Sequence, residues 1–128
     1  MNNWLERITQ ESAHVPILPL EDLAKLPSVA GDYDAGVYFL WKDGTLQYIG
    51  KSRNIPDRIN RHIRYLGHGR MTLVKYQEAV PFDRYTCIVV ANSMFKTPEI
   101  DRQLTEIERA YIVAYPTEFN PMGYAYTT

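Results

Sequence analysis

The chain has 128 residues, and its 14 lysine and arginine residues nearly balance 15 aspartate and glutamate residues, which leaves a formal net charge of -1. This length suits one domain with its own core, the small net charge excludes a polycationic coat, and the single cysteine, Cys87, excludes an internal disulfide and is expected to serve packing. No apolar run approaches the roughly 20 residues of a membrane helix, and the N-terminus lacks a secretory signal pattern, so we expect a cytoplasmic protein.

Residues 1–35 are predicted to form an N-terminal extension of short helices and loops. Asn3 is a candidate cap for a helix over residues 4–12, and residues 21–26 have the apolar spacing of a short helix that Pro27 ends. The extension holds six acidic and two basic residues, which makes it a poor phosphate-binding surface. We expect it to pack on or next to the following domain, to mediate self-association as a homodimer, or to bind a partner protein.

A β-hairpin is predicted over residues 36–50. Residues 36–41 are apolar and aromatic, residues 46–50 are a second β-prone run, and the four residues between them favour a turn. Each strand carries one tyrosine and one nearby glycine, so pairing of the strands would bring Tyr38 and Tyr48 together beside two positions without side chains. Glycine within a strand is tolerated where another backbone or a ligand comes close.

A helix is predicted to begin at Ile55. Asn54 is a good N-cap, Pro56 lies in the first turn, where its missing N–H is harmless, and Asp57 complements the helix dipole. One stripe of this helix is apolar and should be its buried face. The residues of the stripe are Ile55, Ile59, Ile63 and Leu66.

Two polar residues of this helix lie on the border of the apolar stripe. Arg58 and His62 are four residues apart and can reach the adjoining sheet, whereas Arg61 and Arg64 point away and are better candidates for solvated or backbone-contacting charges. Residues 51–75 hold seven basic residues and one acidic residue. This clustering favours a local phosphate-binding face, although a solvated helix face without a ligand explains the charge equally well.

The second half of the chain adds a strand and a long helix. After a short predicted helix over residues 71–78, residues 85–91 are continuously apolar, which is typical of a central strand buried on both faces. Thr97 is the predicted cap of a helix that begins at Pro98 and runs to about residue 115. The apolar stripe of this helix comprises Ile100, Leu104, Ile107, Tyr111 and Ala114.

Glu108 is the one acid of the long helix that is placed to face an interior cleft. It lies about 60 degrees from the centre of the apolar stripe, whereas Glu106 lies about 140 degrees away on the opposite side. A glutamate considered alone is more often solvated or ion-paired. The prediction for Glu108 therefore depends on the residues that it would meet.

The order of these elements predicts an α+β fold for residues 36–128, with a small three-stranded antiparallel sheet flanked by helices and preceded by the N-terminal extension. On this scaffold, five residues from distant parts of the chain occupy compatible faces and can converge. They are Tyr38, Tyr48, Arg58, His62 and Glu108.

Several of these residues carry a resemblance to a known family. Gly36-Val37-Tyr38, Tyr48-Ile49-Gly50 and Lys51-Ser52, followed by Arg58 and His62 at helical spacing, resemble the GIY-YIG nuclease domain. The resemblance covers roughly residues 36–121. It implies the same α+β fold, an endonuclease activity that hydrolyses phosphodiester bonds, and a nucleic-acid substrate that is most often DNA.

The residue types suit phosphodiester hydrolysis. A single carboxylate, Glu108, suffices to hold one Mg²⁺ or Mn²⁺, because these ions keep several waters and take further ligands from the phosphate. Arg58 presents a planar, permanently charged fork that suits a clamp on the transition state. A general base is harder to supply, since tyrosine titrates near pH 10.

The resemblance implies roles for the remaining residues. Tyr38 would be the general base and Tyr48 would orient the attacking water or a phosphate, although the reverse assignment stays open. His62 would support a proton relay or hydrogen-bond Tyr38, and Asn120 matches a late asparagine that braces the site. Gly36 would support the site structurally. The expected nucleic-acid contacts are Gly50, Lys51, Ser52, Arg53, Arg61 and Arg64.

Two alternatives to a DNA endonuclease remain open from the sequence. One is a nucleic-acid-binding or inhibitory module that keeps the fold without cutting. The other is a nuclease directed to RNA, single strands or particular structures. The chain has little room for a separate DNA-binding module, so we expect weak sequence specificity.

Overall fold

The computed structural model describes residues 15–67, 80–95 and 97–120 and, within these ranges, all side chains except those of residues 64–67. The helices predicted over residues 4–12 and 71–78 lie outside the described residues. In chain order, the described elements are α1 (Leu20–Leu23), β1 (Asp34–Lys42), β2 (Thr45–Ser52), α2 (Ile55–Gly67), β3 (Arg84–Asn92) and α3 (Pro98–Ala114). None of these helices is long and apolar enough to cross a lipid bilayer.

The three strands form one antiparallel sheet in the order β2-β1-β3, which confirms the predicted α+β fold. A tight turn joins β1 to β2, because Asp43 and Gly44 both adopt positive φ, at 51° and 78°. This is the backbone geometry that two-residue hairpins require. The cap at Thr97 is confirmed as well, since its hydroxyl accepts a hydrogen bond from the N–H of Ile100 at 3.1 Å.

The prediction that residues 85–91 form the central strand was wrong. The central strand is β1, whose residues 35–41 are all buried, whereas β3 lies at an edge and leaves Val89 44% exposed. The apolar run of β3 has a different cause: Cys87 packs on one face of the sheet, Ile88 packs on the other, and the N–H of Cys87 bonds to the carbonyl of Pro27 at 3.0 Å. An edge strand covered in this way is apolar without being central.

The side chains of β1 alternate between two cores. Val37 and Phe39 face α3 and pack with Ile107 and Tyr111, whereas Tyr38 faces α2. Val15 and Leu23, which lie in the residues 15–35 of the N-terminal extension, belong to the α3-side core and are 7% and 0% exposed. The extension therefore contributes to the same core as the long helix.

The buried stripe of α2 differs from the prediction at one position. Ile55 and Ile59 are buried as expected, but Ile63 is 54% exposed, and His62, which was placed on the border, is 2% exposed. The hydrogen bond between His62 and Tyr38 explains this rotation, because it draws the imidazole under the sheet. The side chain of Leu66 lies outside the described residues.

The apolar stripe of α3 also shifts slightly. Leu104, Ile107 and Tyr111 are buried, but Ala114 is exposed, and Ile112 is buried in its place. Pairing of the last turn with residues 15–18 accounts for the shift, since the hydroxyl of Tyr111 accepts a hydrogen bond from the N–H of Leu18 at 3.2 Å. Glu108 stays on the interior side, as the periodicity predicts.

Candidate active site

Two phenols and an imidazole form a buried cluster on the α2 face of the sheet. The hydroxyl of Tyr38 lies 2.9 Å from Nε2 of His62. The ring centroids of Tyr38 and Tyr48 are 6.1 Å apart, and those rings lie 5.6 Å and 5.8 Å from the imidazole. Tyr38 is 0% exposed, Tyr48 4% and His62 2%. The sequence prediction that these three residues meet is therefore correct in its geometry.

The register of the hairpin makes room for this cluster. Tyr38 pairs with Gly50 across β1 and β2, and a Cβ atom at position 50 would collide with the phenol ring of Tyr38. Gly50 therefore leaves the space that the phenol occupies, rather than a gap open to a phosphate. Gly36 serves the sheet itself, because a Cβ atom there would strike the carbonyl of Ile88 on β3.

His62 is held as a neutral imidazole. Burial first, and the charge of Arg58 second, lower the pKa of His62 to about 4. Within the described part of the chain, Nδ1 of this ring has no hydrogen-bond partner. The ring can accept a hydrogen bond from the phenol at Nε2 or, in the other tautomer, donate one to the phenol oxygen.

Glu108 is a buried carboxylate on α3. It is 4% exposed, and burial raises its pKa to about 6 against the opposing effects of Lys51, Arg109 and Arg58, in that order. The carboxylate is thus ionised at neutral pH but poorly solvated. An additional positive charge nearby would strongly stabilise an ionised carboxylate in such a buried position.

The phenols and Glu108 approach the edge of the sheet from opposite faces. Tyr38 and Tyr48 belong to the α2-side core, whereas Glu108 lies on α3, which packs on the other face. Arg58 links the two groups, because its charge acts on both His62 and Glu108. The five residues thus form two groups on opposite faces of the sheet, and the charge of Arg58 acts on one member of each group.

A cleft of about 540 Å³ opens where the end of β2, the start of α2 and the first half of α3 come together. Its walls carry four basic and two acidic side chains. The basic residues are Lys51, Arg53, Arg58 and Arg61, and the acidic residues are Asp57 and Asp101. These basic residues belong to the segment 51–75, in which the sequence has an excess of positive charge.

The cations of the cleft differ in how they are held. Arg53 forms a two-point ion pair with Asp101, and the Nε atom of Arg61 lies 3.3 Å from a carboxylate oxygen of Asp57 in an exposed pair. The Nζ atom of Lys51 donates to the hydroxyl of Thr105 at 2.7 Å. The side chain of Arg64 lies outside the described residues.

The roles of Asp101 and Thr105 were missed in the sequence. Both stand on the same side of α3 as Glu108, since Asp101 is four residues before Thr105 and Thr105 is three residues before Glu108. This spacing is the signal that could have identified them. Sequence periodicity singled out only Glu108, because the partners of the other two residues come from the distant segment after Gly50.

Asn120 braces the outer edge of β2. Its Oδ1 accepts from the N–H of Ile49 at 2.6 Å, and its Nδ2 donates to the carbonyl of Ile49 at 3.1 Å. The side chain is 0% exposed and pairs with the strand as another peptide would. These two bonds fix the backbone of Ile49, the residue that follows Tyr48.

Comparison with known proteins gives one match. A family model described as the GIY-YIG catalytic domain matches residues 34–122. No curated protein gives a significant match to the chain. No solved structure gives one either.

Proposed function

The chain belongs to the GIY-YIG catalytic domain family, whose members are generally nucleases, and on this premise we propose that it is an endonuclease that hydrolyses DNA phosphodiester bonds with the help of one divalent metal ion. The observation that carries the proposal is the burial of Glu108, an ionised acid at 4% exposure. The charges of Lys51 and Arg58, two residues that line the basic cleft, both act on this acid. A buried charge of this kind is costly to the fold and is typical of functional sites.

The residues present fit Mg²⁺ or Mn²⁺. Glu108 offers a hard oxygen ligand, and burial raises its pKa, so a cation bound to it would stabilise the ionised form. Among the residues that the structure describes, no group of three or more histidine, cysteine or acidic side chains could enclose a metal. Glu108 would therefore hold the ion with waters and substrate oxygens as the other ligands, and a bound ion would stabilise negative charge on the phosphate.

Tyr38 is the proposed general base. Its hydroxyl is hydrogen-bonded to a neutral imidazole that orients the phenol, and Tyr48 lies close enough to orient the attacking water or a phosphate oxygen. The proposal requires water to reach the Tyr38 hydroxyl, which is enclosed in the structure, when substrate is bound. The reverse assignment of the two phenols remains a competing proposal.

Arg58 is the proposed clamp on the phosphate. It is half-buried, lines the cleft, and exerts its charge on both His62 and Glu108. A guanidinium stays protonated under these conditions and can bond two phosphate oxygens at once. Arg58 would thus bind a phosphate on which the phenol cluster and the acid act together.

Residues 15–35 of the extension are proposed to support the fold rather than the chemistry. Val15 and Leu23 lie in the α3-side core, so deletion of residues 1–30 should harm stability more than cleavage per folded molecule. Loss of DNA affinity with the fold intact would contradict this view. Self-association or a partner protein at the extension would show as a change in mass by light scattering.

A cleavage assay tests the proposed function. Purified protein is incubated with plasmid, single-stranded, branched and RNA substrates in Mg²⁺, in Mn²⁺ and in EDTA. Three results together support the proposal. Cleavage requires the metal, its rate falls at least 100-fold in Glu108→Gln and Arg58→Ala, and it persists in Glu106→Gln. Glu106→Gln is a matched control, because it changes the same chemical group on the same helix. Binding without cleavage under every condition would favour the non-cutting module, and preferential cleavage of RNA or branched substrates would favour the other alternative.

A further inference from the structure

Three residues of α3 face the segment that follows Gly50. Asp101, Thr105 and Glu108 stand on one side of the helix, four and three residues apart. Asp101 bonds to Arg53, and the hydroxyl of Thr105 accepts from Lys51 at 2.7 Å. The charge of Lys51 also acts on Glu108. One face of the helix therefore fixes both cations of the segment.

The two cations meet acceptors of different charge. Arg53 donates from Nε to Asp101 at 2.6 Å and also from Nη2, and this carboxylate raises the pKa of Arg53 mainly through the hydrogen bond. Its positive charge is therefore matched by a negative one within the pair. Thr105 is neutral, so its hydrogen bond with Lys51 orients the ammonium group without forming an ion pair at that contact.

We propose that Thr105 is a positioning residue, which holds the Lys51 ammonium group at the cleft for a substrate phosphate, while Asp101 keeps Arg53 out of phosphate binding. The inference rests on the proposed function and states which cation of residues 51–53 contacts the substrate. It assigns roles to two residues of α3 that the family-typical positions do not include.

The chemistry of the ammonium group explains why a hydroxyl is sufficient. An ammonium has three N–H donors, so one bond to Thr105 leaves two for phosphate oxygens. A free lysine side chain samples many rotamers, and fixing it before binding removes part of the ordering cost. Lys51 is half-buried and lines the cleft, which keeps the oriented group within reach of a bound strand.

Binding measurements in EDTA isolate this role from cleavage. The probes are a fluorescein-labelled duplex DNA and its separated strands, titrated at several salt concentrations. Lys51→Met should weaken binding about tenfold and reduce the slope of log K against log salt by roughly 0.9 for the duplex. Thr105→Val, which keeps the shape but removes the hydroxyl, should weaken binding by a similar factor, whereas Thr105→Ser should bind as the wild type does.

The double variant Lys51→Met/Thr105→Val separates positioning from a structural role. If Thr105 acts through Lys51, the double variant binds no more weakly than Lys51→Met alone. Additive losses, or a Thr105→Ser variant as weak as Thr105→Val, would overturn the proposal. Thermal unfolding of each variant checks that the fold is retained.

The charge-balanced double variant Arg53→Met/Asp101→Asn is the comparison for Lys51→Met. We expect it to leave the salt slope unchanged, since it removes the two opposite charges of the ion pair together, and a slope reduced as in Lys51→Met would contradict the role of Asp101. If the wild type binds and cleaves nucleic acid but Thr105→Val leaves the binding affinity unchanged, this inference alone is overturned. A wild-type protein that neither binds nor cleaves would overturn the proposed function and this inference with it.

Discussion

The hydroxyl of Tyr38 and Nε2 of His62 are 2.9 Å apart in a part of the protein where neither side chain is more than 2% exposed. The imidazole is neutral, because burial lowers its pKa to about 4. This contact joins the central strand to α2 and gives the phenol a hydrogen-bond partner within the fold.

Removal of either member of this pair should abolish most cleavage. Tyr38→Phe and His62→Gln should each lower the single-turnover rate by about 100-fold or more, the range typical of a lost general base. The double variant should lose little more than either single variant, because the two groups act as a unit. Tyr85→Phe is a control, since it removes the part-buried hydrogen bond from the N–H of Ala30 to a phenol and leaves the hydroxyl groups of Tyr38 and Tyr48 in place. Equal loss in Tyr85→Phe would point to stability rather than chemistry.

His62 should make the protein sensitive to acid. The pKa of His62 is about 4 in the fold and 6.5 as the ordinary value, so the unfolded chain binds the proton first as pH falls. Stability should therefore decrease from pH 6.5 towards pH 4, by about 3 kcal/mol from this residue. Urea unfolding of wild type and His62→Gln at both pH values checks this expectation. A constant difference between the two proteins would contradict it.

Glu108 should affect the pH dependence of stability in the opposite direction to His62. Its pKa is about 6 in the fold against an ordinary 4.5, so the folded protein keeps the proton longer as pH rises. Stability should fall between pH 4.5 and pH 6, by about 2 kcal/mol from this residue. In EDTA, Glu108→Gln should therefore gain stability relative to wild type between pH 4 and pH 7. A stability difference between Glu108→Gln and wild type that does not change with pH would contradict this expectation.

Gly50→Ala should damage the cluster through the added methyl group. A Cβ atom at this position collides with the ring of Tyr38, and overpacking of a core typically costs about 1–3 kcal/mol. Thermal unfolding and the cleavage rate should both fall. Gly31→Ala provides the comparison, because its Cβ atom would meet its nearest neighbour, Asp34, at an ordinary 3.5 Å. Normal activity in Gly50→Ala would mean that the phenol tolerates displacement.

Asn120→Ala should loosen the edge of β2. The variant leaves the N–H and the carbonyl of Ile49 without their side-chain partner, at a cost of about 2 kcal/mol. An unpaired strand edge also promotes association, so light scattering should show aggregation at lower temperature than for wild type. Asn92→Ala removes an exposed amide that bonds Asp34 and should have a much smaller effect.

The sequence by itself determined the elements whose signals are local. The turn residues set the hairpin, Thr97 set the start of α3, and apolar periodicity placed Glu108 on the interior side. These features depend on residues within one or two turns of each other, and the two glycine-tyrosine triplets identified the family for the same reason.

Only the tertiary structure decided what those elements meet. Periodicity could not order the strands, so β3 was placed in the centre although it lies at an edge. It could not foresee that Tyr38 would fill the space at Gly50, that His62 would turn inward, or that Asp101 would form an ion pair with Arg53. Each outcome depends on a contact between residues at least 12 positions apart, and the spacing of side chains along one helix or strand carries no information about such partners.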